Sequence, residues 1–164
     1  MSCNTYFRGI FLSYERLQDY AYKNGIEVTE KYFKSKADGL CKGNKIGISK
    51  RLSTSVAKRC VLAEELGHYF TTVGDISDQS NIQNRKQERR ARAWGYDRLV
   101  PLTLLLEAID YPCQSRTELA EYLDVPEDYL MEALKYYKEK YGNYVRIKEH
   151  ILLFEPLALI KAFE

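Results

Sequence analysis

The chain has 164 residues, 45% of them hydrophobic and 13% aromatic, with 25 Lys and Arg against 23 Asp and Glu and a formal net charge of +2. This length and apolar content fit one compact domain of ordinary size with a small appended lobe and exclude a disordered chain, and so small a net charge gives no particular pull toward nucleic acid or membrane. Cys3, Cys41, Cys60 and Cys113 are scattered without a C-x-x-C pair, which reads as reduced thiols in a cytoplasm, and neither a signal peptide nor a membrane span is legible, the apolar patch Ile10-Phe11-Leu12 being too brief for either.

The first element expected is a helix over 13–24, closed by Gly25, with Tyr14, Leu17 and Ala21 on its inner face. A strand at 26–28 comes after it, then a hairpin of 39–42 with 45–48 about Gly43-Asn44. The fourteen tyrosines mostly sit beside apolar residues at helical or strand spacing, so they read as core or boundary residues with wet hydroxyls and not as a base-stacking array.

Ser53-Thr54-Ser55 offers N-cap choices for the next helix, whose opening run, Val56-Ala57-Lys58-Arg59-Cys60-Val61-Leu62-Ala63, is apolar almost all the way round. A helix of this kind is largely buried. It continues as Glu64-Glu65-Leu66-Gly67-His68, the metallopeptidase helix motif H-E-x-x-H with its first histidine replaced by glutamate. Positions i and i+4 lie one above the other, so Glu64 and His68 can address a single ion while Glu65 turns aside. Ala57 and Val61 share their sector, which holds no Lys or Arg of its own. Burying ionised carboxylates costs several kcal/mol each unless they are paired, and a divalent metal is the simplest compensation. The bland alternative is a partly exposed histidine beside two solvated glutamates.

The polar stretch 74–84 reads as a loop that can act as a flap, and 85–99 as a second helix ended by Pro101. On that helix Glu88, Ala91, Gly95 and Leu99 share a face, a packing surface with one acid on it, while Arg85, Lys86, Arg89 and Arg90 point outward. Plainer readings are a Glu88–Arg92 pair at i+4 and a merely solvated basic face.

A helix over 102–109 comes next, then a break at Tyr111-Pro112, and helices over 116–123 and 126–141 joined at Asp124-Val125. The spacing is that of a helix-turn-helix. Its charges, however, are Arg116, Lys135, Lys138 and Lys140 against seven acids, the wrong sign for phosphates, so the lobe reads as protein-binding or structural. A small hairpin of 144–147 and 151–154 ends the chain, closed by Glu155-Pro156, with His150 at its turn.

The stretch 60–72 around Glu64-Glu65-Leu66-Gly67-His68, then 84–94, then Leu99-Val100-Pro101, resembles the ImmA/IrrE-type metallopeptidases of bacteria and their mobile elements, and the resemblance spans most of the chain. It implies an α+β fold: a zincin-like core of small sheet plus metal-binding helices over 1–110, and a C-terminal lobe of helices and hairpin over 111–164. It also implies a third metal ligand on the second helix, a glutamate followed three residues on by a small residue, places held here by Glu88 and Ala91. Most relatives have histidine where this chain has Glu64.

The activity implied by the resemblance is that of a metal-dependent endopeptidase, with Glu64, His68 and Glu88 on the ion and Glu65 as general base toward a water. Tyr69, Tyr96 and His150 are candidates for a supplementary oxyanion donor. Zinc is the first choice of metal. Two glutamates and a neutral histidine nearly cancel a divalent charge, however, so this centre is expected to polarise water less than an imidazole-rich one and to suit manganese or iron better. The substrate class implied is a helix-turn-helix repressor of a phage or mobile element, cut to release gene expression, with no role for a membrane or for direct nucleic-acid binding. Two other readings stay open: a homologue that has lost hydrolysis and binds a repressor without cutting it, and a DNA-associated regulator acting through the basic side of the second helix.

Overall fold

Ser13 begins the first helix by accepting a hydrogen bond from the Arg16 amide, and Gly25, at φ +73°, ends it. The structure is a computed structural model and describes residues 12–74, 80–110, 113 and 115–161. Cys3, Ile10, Phe11, Tyr111 and Pro112, to which the sequence assigned roles, lie outside the described residues. Helix α1 (Tyr14–Lys23) buries Tyr14, Leu17 and Ala21, the face expected from spacing.

Strands β1 (Glu27–Lys31), β2 (Gly39–Lys42) and β3 (Lys45–Ser49) form one sheet in the order β1-β3-β2, with β1 parallel and β2 antiparallel to β3. The hairpin turns at Gly43-Asn44 as expected, Gly43 taking φ +58°. The first strand is longer than the 26–28 expected, because the parallel register with β3 carries its pairing out to Lys31↔Ser49. Central β3 buries Ile46 and Ile48, and β2 is left as an edge.

Helix α2 (Ser55–Thr71) is capped by Thr54, which accepts from the Ala57 amide at 3.1 Å, and α3 (Ile82–Leu99) by Asn81, which accepts from the Gln83 amide at 2.8 Å. The second cap corrects the expected loop: the helix begins at Ile82, three residues before 85. Gly67 faces the backbone carbonyl of Ala91, and a Cβ on Gly67 would collide with it. That backbone contact lets α2 and α3 lie side by side with no side chain between them, and it is why small residues occupy both positions.

Arg59 departs from the expectation for α2. Counted within an apolar run, it is the largest fully buried side chain among the described residues. Its Nε donates to the Leu12 carbonyl at 2.6 Å, and its Nη1 donates to the carbonyls of Leu123, at 3.3 Å, and of Asp124 and meets the Asp124 carboxylate at 3.3 Å. The guanidinium therefore fastens the metal-motif helix to the turn between α5 (Arg116–Tyr122) and α6 (Glu127–Tyr141), where Asp124 sits at φ +54°.

Between these segments runs α4 (Leu102–Asp110). Tyr137 of α6 donates to the Val100 carbonyl at 2.9 Å, and one cluster of buried residues extends from Tyr14 to Phe154. The chain ends in three strands, β4 (Tyr144–Ile147), β5 (His150–Phe154) and β6 (Leu157–Lys161), an antiparallel meander in place of the two-stranded hairpin expected. Glu155-Pro156 is the turn into β6 and not the end of the unit: Pro sits between strands, where no ladder donor is needed. No described helix is long and apolar enough to cross a membrane.

Candidate metal centre

The helical repeat sets Glu64 directly above His68 on α2, and the Gly67–Ala91 contact brings Glu88 of α3 against them. One donor atom from each of the three residues lies within 4.8 Å of the other two, the only such group among the described residues. His68 Nε2 stands 3.5 Å from Glu88 Oε2. Two ligands of one tetrahedral ion with bonds of about 2.1 Å are separated by roughly 3.4 Å, so the His68–Glu88 pair has the spacing of two ligands of one ion, and the donor set, one imidazole nitrogen and two carboxylates, fits a divalent metal in number and chemistry. His68 Nδ1 lies 3.3 Å from Thr72 Oγ1. The tautomer that donates from Nδ1 to that hydroxyl leaves Nε2 unprotonated and turned toward Glu88.

Charge at the centre is partly offset by a group that the sequence offered only as the plainer partner of Glu88. Arg92, one turn beyond Glu88 on α3, places Nε 3.0 Å from Glu88 Oε1 and 3.4 Å from Glu64 Oε1, and Nη1 3.8 Å from Glu132 Oε2 on α6. Helix α2 brings no cation to its own carboxylates, as its spacing predicts, but its neighbour supplies one. The i+4 spacing from Glu88 to Arg92 was the available signal. Glu132, which the other end of Arg92 meets, had none, because only the packing of α6 on α3 brings it near. Burial raises the Glu64 carboxyl above its ordinary range, and Arg92 opposes that shift.

Glu65 turns away from the other two acids, toward the sheet. Its carboxyl accepts a hydrogen bond from the Cys41 amide and lies against Gly39, where a Cβ would strike the Glu65 and Val61 side chains. Burial, reinforced by the charge on Glu64, pushes the carboxyl up to about 8. A carboxyl held near neutrality, with one backbone donor to orient it, can take up and release a proton at working pH. The glycine in β2 that makes room for it was legible as a hairpin residue but not as a neighbour of Glu65.

The three candidate oxyanion donors are dispersed. The Tyr96 hydroxyl donates to Glu132 Oε2 at 2.7 Å, and its ring packs against Tyr129 and Tyr136. Tyr69 packs edge-on to Phe70 at 5.0 Å, in a group that continues through Phe70 to Trp94 and Tyr20. His150 opens β5, pairs with Ile147 and Lys161, and lines a separate hollow with Thr103, Glu107 and Asp110 of α4. Cys41 and Cys60 are free thiols raised by burial to about 11 and about 12.

A family model described as the IrrE N-terminal-like domain, peptidase M78, matches residues 21–135, more than two thirds of the chain. No curated protein and no solved structure matches it.

Proposed function

The chain belongs to the IrrE N-terminal-like family of M78 metallopeptidases, and from that premise we propose that it is a zinc-dependent endopeptidase in which Glu64, His68 and Glu88 hold the ion and Glu65 is the general base. The single observation that carries this reading is the convergence of three ligand-type side chains from two helices within 4.8 Å, next in sequence to a third acid, Glu65, whose carboxyl burial pushes up to about 8.

When bound, the metal supplies Lewis acidity toward a peptide carbonyl. The chain's own residues do the rest. Glu65, oriented by the Cys41 amide, takes the proton from an attacking water and delivers it to the departing amine. Burial holds its carboxyl at about 8, near enough to working pH for one group to serve as base and then as acid. The edge of β2 runs directly beside Glu65, with Leu40 half exposed, and an extended substrate segment can add to that edge through main-chain hydrogen bonds. We assign the substrate class the resemblance implies, a helix-turn-helix repressor of a phage or mobile element, and a cytoplasmic site of action. Tyr69, Tyr96 and His150 have the chemistry of oxyanion donors, and Tyr96 shares Glu132 with Arg92.

Arg92 favours one second reading. A guanidinium already bridging Glu64 and Glu88 can serve as the permanent cation of a site that no longer hydrolyses, leaving a repressor-binding protein. Incubating a repressor-type protein with zinc-loaded protein separates the two. Cleavage by wild type and none by Glu65→Gln, with the metal retained, supports the peptidase; association without cleavage by either supports the second reading.

A further inference from the structure

An open cleft of about 690 Å³ runs between α3 and α6, sharing Arg92 with the candidate metal centre. Its basic side chains are Arg89, Arg90 and Arg92 from α3 and Lys135 and Lys140 from α6, against Glu132 and Glu139. Three net positive charges therefore line one hollow of a chain whose whole formal charge is +2. Two of the five cations are engaged: Arg92 with its carboxylates, and Lys140 with Asp97 at 3.5 Å and the Tyr136 hydroxyl at 2.7 Å. Arg89, Arg90 and Lys135 have no ion-pair partner among the described residues. The rings of Tyr96 and Tyr136 add apolar surface to the same hollow.

An outward basic face is ordinarily just solvated. Here three unpaired cations converge on a concavity of ligand size with aromatic walls, adjoining the group of acids and histidine proposed to do chemistry. We propose that this cleft is the recognition site for an acidic segment of the protein substrate, whose Asp or Glu side chains pair with Arg89, Arg90 and Lys135 while the scissile bond lies at the neighbouring centre. The proposal rests on the peptidase reading for its last clause and on the cleft alone for the first. A peptide fits better than a nucleic acid. Glu132 and Glu139 stand within the hollow, where they interrupt the positive surface that a continuous phosphate backbone needs but leave room for isolated carboxylates in Arg forks.

The test is fluorescence anisotropy at low salt with three probes: a labelled Gly-Ser peptide carrying four spaced glutamates, the same peptide with glutamines, and a labelled DNA duplex. Wild-type protein binds the glutamate peptide, with or without zinc, and binds the glutamine peptide at least about ten-fold more weakly. Arg89→Glu with Lys135→Glu loses the glutamate peptide while zinc affinity stays unchanged, and Arg89→Gln with Lys135→Gln loses part of it, which keeps the test open if the charge reversal does not fold. Equal binding of the two peptides, undiminished binding by folded variants, or tighter binding of the duplex overturns the proposal. Because zinc binding is read separately, failure of the metal centre and failure of the cleft give different results.

Discussion

Arg92 Nε lies 3.0 Å from Glu88 Oε1, an i,i+4 pair that sets a fixed cation against one of the two carboxylates proposed to hold a metal. With Glu64 3.4 Å from the same nitrogen, the guanidinium does electrostatically what an ion would do. A metal entering between these acids must weaken or displace it. Arg92→Met should therefore lower the melting temperature in chelator, by about 2–4 °C for a loss of roughly 1 kcal/mol in this partly exposed pair, and zinc should restore it. Calorimetric titration of the same variant should show zinc affinity equal to or tighter than wild type. Weaker zinc binding would mean that Arg92 supports the ion instead of competing with it.

Gly67 against the Ala91 carbonyl is a backbone approach that lets α2 and α3 lie close together. Gly67→Ala must push α2 and α3 apart, at a cost of about 1–3 kcal/mol, and so separate His68 from Glu88. Urea unfolding should show that loss, and zinc affinity should fall even in protein that remains folded. A variant of unchanged stability and zinc affinity would show that the helices do not need this approach.

Glu65 sets a pH dependence whose sign is fixed by its burial. With no metal bound its carboxyl titrates near 8 in the folded chain, against 4.5 for the ordinary group. Below the ordinary value both states carry the proton and nothing is lost; between the two values the unfolded chain ionises while the folded one resists. Metal-free protein should therefore lose stability from this group as pH rises through that window. Melting curves in chelator should show Glu65→Gln gaining on wild type from about pH 5 to about pH 8, and zinc should narrow the gap by favouring the carboxylate. A constant difference across that range would mean that Glu65 ionises normally.

The pairing of Glu64 with His68 on one helix, both helix faces, the 43–44 turn and the helix order of the C-terminal lobe were legible because each is carried by local spacing. Glu64 and His68 are four apart on one helix, and Ala91 and Gly95 mark the surface on which α2 lies. What was not legible depends on residues far apart in sequence. Arg59 lies within a run that reads as apolar, and nothing local says that its partners are the carbonyls of Leu12, Leu123 and Asp124. The same holds for Glu132 meeting Arg92, for Gly39 beneath Glu65, and for the third strand, β6, whose existence depends on pairing with β5 after a turn that reads as a terminus.

Arg59 is the clearest test of how the C-terminal helices are held to the motif helix. Arg59→Met keeps the volume but leaves three backbone carbonyls without their donor, a loss expected to exceed about 3 kcal/mol. Thermal unfolding should drop accordingly, and hydrogen exchange should rise first around 119–126. A change under about 1 kcal/mol, the typical scale of a single exposed hydrogen bond, would mean that water replaces the guanidinium readily.

Zinc titration of chelator-stripped protein by isothermal calorimetry bears most directly on whether Glu64, His68 and Glu88 hold one ion. One zinc per wild-type chain is expected, with affinity at least about ten-fold weaker in each of Glu64→Ala, His68→Ala and Glu88→Ala while circular dichroism reports an intact fold. Unchanged zinc affinity in the three folded variants, or no zinc binding by wild type, would contradict the metal centre and leave Arg92 as the cation those carboxylates were built to meet.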